Sequence, residues 1–167
     1  MQPGQILVAD HDGVYVIKME GDVRLTLCVS FDQFIDTMFS RDDFRAIMFD
    51  LTAAEAVDST TLGLMAKIAI LAMERKQLRP MILSESAGIN RTLDCMGFAE
   101  IFDIVSTETL PDYVNKAAQH QASVLDCPVA DEAQAKQRVI EAHRILMDLN
   151  DKNRETFQDL VKTLEND

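Results

Sequence analysis

Residues 46–64 read AIMFDLTAAEAVDSTTLGL, and this stretch decides the fold. Its first part, residues 46–51, is nearly all apolar, which is typical of a central strand covered on both faces. From residue 60 to residue 75 the apolar side chains recur at helical spacing, so a helix follows the strand. A buried strand followed by a helix predicts a crossover connection within a mostly parallel sheet.

Alternating strand and helix patterns flank this stretch on both sides. Two short apolar runs, residues 6–9 and 14–19, surround a turn sequence and predict an N-terminal β-hairpin. The remaining patterns predict helices at residues 30–40, 90–96 and 107–119, and strands at residues 81–83 and 102–105. The resulting order, β-β-α-β-α-β-α-β-α, predicts an α/β fold: a mostly parallel β-sheet with an N-terminal hairpin and helices packed on it.

The C-terminal part of the chain predicts a helical extension. We divide the sequence into a domain at 1–120, a linker at 121–130 and helices at 131–167. Two apolar stripes run through these helices: Ala135, Val139, Ala142, Leu146 and Leu149, then Phe157, Leu160, Val161 and Leu164. They form either a helical hairpin or one long helix. Such stripes need a facing apolar surface, which is either the domain itself, a second copy in a homodimer, or another partner.

The composition limits the classes of partner. The chain has 167 residues with 16 Lys and Arg against 28 Asp and Glu, a formal net charge of -12. This charge disfavours nucleic acid and anionic membrane surfaces as partners. No apolar run reaches the length of a membrane span, and the N-terminus lacks the features of a secretory signal.

The cysteines and histidines suggest no metal site. Cys28, Cys95 and Cys127 are odd in number and widely spaced, so we expect buried thiols without a disulfide and a reduced, cytoplasmic protein. The three histidines are also scattered. The six glycines form no phosphate-binding loop, and no nucleophile elbow is present. We therefore expect no cofactor, no metal and no enzymatic activity.

One polar segment stands out at the start of the helix after the buried strand. Asp58, Ser59, Thr60 and Thr61 precede an apolar helical stripe, although a helix cap needs only one such side chain. A phosphoryl group on Ser59 would add about −1.5 to −2 charges beside Asp58. That charge would break a tight interface across this segment, so the segment is either a capped turn or a phosphorylation switch.

The sequence Asp58-Ser59-Thr60-Thr61-Leu62-Gly63-Leu64 resembles the signature of STAS domains, the domains of sulfate transporters and anti-sigma-factor antagonists. The order of elements over residues 5–119 fits that family. So do residues 96–98 and 101–104, which resemble the stretch before its last strand. The resemblance implies a STAS-like fold and a bacterial partner-switching protein.

The resemblance also implies roles for individual residues. An anti-sigma factor that is also a serine kinase would bind the unphosphorylated chain and later phosphorylate Ser59, with Thr60 as an alternative acceptor. A PP2C-type phosphatase would reset the switch, and ATP would belong to the kinase. The partner-binding residues would be Asp58, Ser59, Thr60, Thr61, Leu62, Gly63 and Leu64, with Ser84 and Ser86 at the same end of the sheet. The alternative is a STAS accessory subunit that docks on the ATPase of a lipid or anion transporter without phosphorylation.

Overall fold

The computed structural model of the chain describes residues 3–25, 28, 30–128 and 131–166. The strands are β1 (Gln5–His11), β2 (Val14–Val23), β3 (Ala46–Val57), β4 (Met81–Leu83), β5 (Asp103–Val105) and β6 (Ser123–Val124). The helices are α1 (Ser30–Ser40), α2 (Ser59–Lys76), α3 (Ala87–Cys95), α4 (Asp112–Ala118), α5 (Glu132–Leu149) and α6 (Asp151–Glu165).

The strands form one six-stranded sheet in the order β5-β4-β3-β2-β1-β6. The pairs from β2 through β5 are parallel, whereas β1 pairs antiparallel with both β2 and β6. The predicted α/β class, N-terminal hairpin and mostly parallel sheet are therefore confirmed.

Strand β3 lies at the centre of the sheet and is covered on both faces. Ile47, Phe49 and Leu51 pack in the larger core cluster, which also contains residues of α1, α2 and α3. Ala46 and Met48 pack on the opposite face, in the cluster that contains residues of α4. Burying an aliphatic or aromatic side chain of this size stabilises the fold by about 1.5–3 kcal/mol. This double coverage explains why the strand is apolar without alternation.

The second half of β3 is less buried than the first. Strand β4 pairs only with Met48–Asp50, while β2 follows β3 through Val57 with two irregularities in register. The strand therefore extends beyond its predicted end at residue 51, because pairing with β2 continues where the apolar pattern stops. This extension carries the chain directly to Asp58 and the start of α2.

The C-terminal extension is a helical hairpin that folds back on the domain. Helices α5 and α6 are separated at Asn150, which has extended backbone and accepts a hydrogen bond from the Asn153 amide at 2.8 Å. Helix α5 packs against α2, and α6 packs against α5. The region predicted as a linker contains β6, which lies antiparallel beside β1 at the edge of the sheet.

Two of the three cysteines form a disulfide, so the expectation of unpaired, buried thiols is wrong. Cys28 and Cys127 are bonded across 99 positions of sequence, and Cys95 is free and exposed. The pairing arises because the chain returns along β1 after α4, where the Leu125 amide donates to the Ile6 carbonyl at 2.8 Å. The disulfide removes the cysteine argument for a reducing compartment.

Candidate functional site

Asp58 caps helix α2. Its carboxylate accepts a hydrogen bond from the Thr61 amide at 2.8 Å, and its backbone is extended as at other N-caps. The carboxylate thus satisfies one of the free amides of the first turn and complements the positive end of the helix. Because Asp58 supplies the cap, the three hydroxyls that follow it are not needed for that purpose.

Ser59 is the first residue of α2 and is half-buried. Its hydroxyl lies 2.8 Å from Nε2 of His143 in helix α5. Nδ1 of the same ring lies 2.7 Å from the Val139 carbonyl, which can only accept, so Nδ1 carries a proton. In the neutral imidazole Nε2 is then the acceptor, and Ser59 donates to it. The predicted phosphorylation site is therefore held by the C-terminal hairpin.

His143 is a functional residue that sequence reasoning missed. It is 2% exposed, and its ring packs edge-on against Phe157 of α6 at 4.8 Å between centroids. A lone histidine in an amphipathic helix carries no signal that it contacts a serine in another element. The contact links α2, α5 and α6 at one point.

Thr60 and Thr61 are buried, with exposures of 6% and 0%. The Thr61 hydroxyl accepts a hydrogen bond from the Leu25 amide at 2.9 Å and lies 3.4 Å from the Val23 carbonyl. Thr61 therefore ties the start of α2 to the chain leaving β2. Burial also limits access to Thr60, the alternative phosphate acceptor.

Gly63 lies where the backbones of α2 and α5 approach each other closely. A Cβ atom at this position would lie 2.3 Å from the Ala142 carbonyl oxygen and 2.7 Å from the Ala142 Cα. Only glycine permits this approach of two helix backbones. Leu62 and Leu64, on either side, are buried in the core. The predicted docking residues of α2 thus lie beneath or beside the hairpin.

Ser84 and Ser86 follow β4 at the same end of the sheet as Ser59. Ser86 caps α3 by accepting from the Ile89 amide at 3.3 Å, and it lines a cavity of about 290 Å³ together with Val57 and Leu62. The Ser84 hydroxyl is buried and has no hydrogen-bond partner among the described residues. The structure therefore brings the two predicted binding segments together, as the crossover topology requires.

Glu85 lies between these two serines and fixes the loop to the segment after β5. Its carboxylate accepts hydrogen bonds from the Thr107 hydroxyl and from the Thr107 amide, the latter at 2.6 Å. These two bonds lower the pKa of Glu85 below its ordinary value. The two bonds thus connect the loop after β4 to the segment after β5.

The hairpin is held by polar contacts at both of its ends. Arg138 of α5 is 8% exposed; it donates to the Leu25 carbonyl at 2.8 Å and to Asp32 of α1 at 2.6 Å. Asn153 of α6 donates to the Met96 carbonyl at 2.9 Å. On the surface, Lys67 and Glu141 form an ion pair at 3.0 Å. Sequence patterning found the apolar stripe of α5 but none of these polar anchors.

Within the described ranges, no group of three or more His, Cys, Asp or Glu side chains is arranged to hold a metal ion. In the same part of the chain, no helix has the length and apolar character that a membrane crossing requires.

Comparison with solved structures gives a likeness in fold. No protein-family model and no curated protein matches the chain. A crystal structure of an anti-sigma factor antagonist from Mycobacterium paratuberculosis matches with a TM-score of 0.51 and 24% identity, covering 70% of this chain and 96% of the other. At this identity the likeness shows the fold, and the chain therefore has the STAS-like fold. Since nearly all of the other chain is covered, this chain carries additional structure.

Proposed function

We propose that this chain is an anti-sigma-factor antagonist in a bacterial partner-switching pathway. Unphosphorylated, it binds an anti-sigma factor that is also a serine kinase, through the start of α2 and the loop containing Ser84 and Ser86. Phosphorylation of Ser59 releases the partner, and a PP2C-type phosphatase restores binding. In this proposal the chain acts in the cytoplasm and catalyses no reaction itself.

The observation that carries the proposal is the position of Ser59 within this fold. It is the first residue of α2, directly after the Asp58 cap, at the end of the sheet where the loop after β4 also lies. The fold is like that of an anti-sigma factor antagonist. The resemblance to the STAS signature and the position of Ser59 in the fold therefore both support Ser59 as the phosphate acceptor.

A phosphoryl group at Ser59 would change the electrostatics of this surface. It would place about −1.5 to −2 charges beside Asp58, in a chain of net charge -12. The amides at the N-terminus of α2 can accommodate the charge within the chain. A partner surface packed across the same turn would have to desolvate it, which favours dissociation.

Affinity capture of the tagged full chain from its source cell, followed by phosphosite mass spectrometry, tests the partner and the acceptor together. We expect an anti-sigma factor with a kinase domain in the capture, and phosphate on Ser59 in the chain that remains unbound. Capture without such a protein, or phosphate only at other residues, would contradict the proposal.

Two variants test the gate itself. Ser59→Ala removes the acceptor, so the chain should stay bound in the presence of ATP and kinase. Ser59→Asp adds a charge at the docking surface and should weaken binding in a pull-down. Ser123→Asp, an exposed position on β6, is the matched control for added charge. Equal binding by all three variants counts against gating at Ser59.

One observation favours the alternative of a STAS accessory subunit on a transporter ATPase. The Ser59 hydroxyl has a structural role within the chain because it bonds His143. A module that docks without phosphorylation would keep this bond throughout its cycle. Co-purification with a transporter ATPase, with Ser59 unmodified, would support this alternative over the switch.

A further inference from the structure

We infer that the α5–α6 hairpin occupies the docking surface of α2 in place of the partner and must leave before the partner binds. The inference rests on the proposed function, and it adds a competition between the hairpin and the partner for the same surface of α2. The part of the docking surface that the hairpin covers is the face of α2 with Ser59 and Gly63, and Lys67 continues this face one turn further along the helix.

Each of these three residues contacts α5. Ser59 bonds His143 at 2.8 Å, the Gly63 backbone lies against Ala142, and Lys67 pairs with Glu141 at 3.0 Å. The hairpin therefore lies on the turn that contains the phosphate acceptor. A partner that docks on this turn and the hairpin cannot occupy it at the same time.

The contact between the hairpin and the domain combines apolar and polar side chains, since Ala142 and Leu146 of α5 also lie in the larger core cluster. Three buried polar side chains of the described residues, Arg138, His143 and Asn153, belong to the hairpin. Each makes a hydrogen bond to the domain, to Leu25, Ser59 and Met96 respectively. Water can replace these three hydrogen bonds when the surfaces separate, so their net contribution to holding the hairpin closed is modest.

The same geometry defines the kind of partner that fits. Because Gly63 has no side chain, the backbone of a facing helix can lie directly against α2, as the backbone of α5 does at Ala142. On the facing helix, Lys67 favours an acidic side chain one position before the contact with Gly63. Ser59 favours a hydrogen-bond acceptor one position after that contact. We therefore expect the kinase to present a helix whose backbone lies against Gly63, with an acidic residue on one side of this contact and a hydrogen-bond acceptor on the other.

Phosphorylation of Ser59 also requires the hairpin to move. The Oγ–P bond forms as the bond from the γ-phosphorus of ATP to ADP breaks, and a carboxylate base of the kinase or water takes up the hydroxyl proton. With Nε2 of His143 at 2.8 Å from Oγ, the phosphorus and its oxygens would overlap the imidazole ring. An open hairpin is thus the form that the kinase both binds and modifies.

Thiol labelling measures the opening without any partner. Ser59→Cys is introduced into full-length Cys95→Ser, which leaves one free thiol beside the disulfide. Arg138→Ala removes the anchor at one end of the hairpin, and Asn153→Ala removes the anchor at the other. Arg144→Ala is the matched control, because Arg144 pairs with Glu165 inside the hairpin. We expect at least about tenfold faster labelling in both anchor variants and no change in the control.

Binding to the captured anti-sigma factor/serine kinase is then measured for the same anchor variants with Ser59 restored. Binding that is tighter by about the same factor as the gain in labelling supports the inference. The reason is that the hairpin of the anchor variants is open more often, so a larger fraction of the chain can bind. Faster labelling with unchanged affinity overturns the inference and leaves the proposed function intact. Unchanged labelling in folded anchor variants also overturns it. If the unaltered chain and every variant fail to bind any such kinase, the proposed function falls as well.

The two anchor variants guard against a trivial result. Arg138 and Asn153 act at opposite ends of the hairpin, so loss of folding in one variant leaves the test to the other. Circular dichroism melts of each variant confirm that the domain is folded before labelling is interpreted.

Discussion

Replacing Gly63 with alanine would push the hairpin away from α2. The new Cβ would lie 2.3 Å from the carbonyl oxygen of Ala142 and 2.6 Å from its carbonyl carbon. Ordinary contact begins at 3.4 Å, so α5 must move by about 1 Å. The atoms in the way are helix backbone and cannot rotate aside, so the strain falls on the packing of the whole hairpin.

The expected magnitude combines two opposing effects. Alanine is favoured over glycine within a helix by up to about 1 kcal/mol. Overpacking at a tight contact costs about 1–3 kcal/mol. We therefore expect the free energy of unfolding of Gly63→Ala to fall by about 0–3 kcal/mol. Gly88→Ala in α3 is the matched control, because the nearest atom to its Cβ would be Ser86 Oγ at 3.8 Å. That variant should gain up to about 1 kcal/mol.

Urea unfolding and hydrogen–deuterium exchange provide the assay. Gly63→Ala should lose amide protection in α5 and α6 while the sheet keeps its protection, and Gly88→Ala should keep both. If Gly63→Ala proved as stable as Gly88→Ala, with unchanged protection in the hairpin, the close helix contact would not hold the hairpin as described.

Three further outcomes can be checked. Cys28→Ser should lower the free energy of unfolding by up to about 4.7 kcal/mol in urea titrations without reductant, because the disulfide closes a loop of 99 positions. A dithiol reductant should abolish this difference, and Cys95→Ser should show no loss of stability. Asp58→Ala should lower thermal stability by about 0.5–2 kcal/mol, whereas Asp58→Asn should keep the cap; equal losses would contradict capping. The pKa of Glu85, measured by NMR titration, should lie below its ordinary value and return toward it in Thr107→Val; an unchanged pKa in the variant would contradict the bond to the Thr107 hydroxyl. Because the folded pKa is depressed, the stabilisation from Glu85 is present above the unfolded pKa and is lost as the pH falls through the folded pKa.

The sheet and its helices follow from local patterns in the sequence. Residues 46–51 predict a doubly covered strand because the run is nearly all apolar, without alternation between its two faces, and the structure confirms it. Gly97 follows α3 with a φ of 84°, the left-handed conformation in which glycine commonly ends a helix. The extension of β3 to Val57 was not predictable, because it depends on pairing with β2 rather than on its own side chains.

The candidate site depends on contacts between distant parts of the chain, which local patterns do not encode. The stripe of α5 shows that a face is apolar, but not that Gly63 is its counterpart. His143 gives no sequence signal, because its role comes only from its distance to Ser59. The disulfide joins cysteines 99 positions apart, and their spacing alone gave no indication of pairing. The homodimer through the C-terminal helices stays a prediction.

The central claim is that phosphate on Ser59 decides whether the partner binds. Its most direct test is the dissociation constant of the captured anti-sigma factor/serine kinase for full-length chain, compared between unphosphorylated protein and protein phosphorylated stoichiometrically at Ser59. We predict that phosphorylation weakens binding by at least about 100-fold. The reason is that burying an uncompensated charge at a docked surface costs about 3 kcal/mol. Equal dissociation constants for the two forms would contradict the claim.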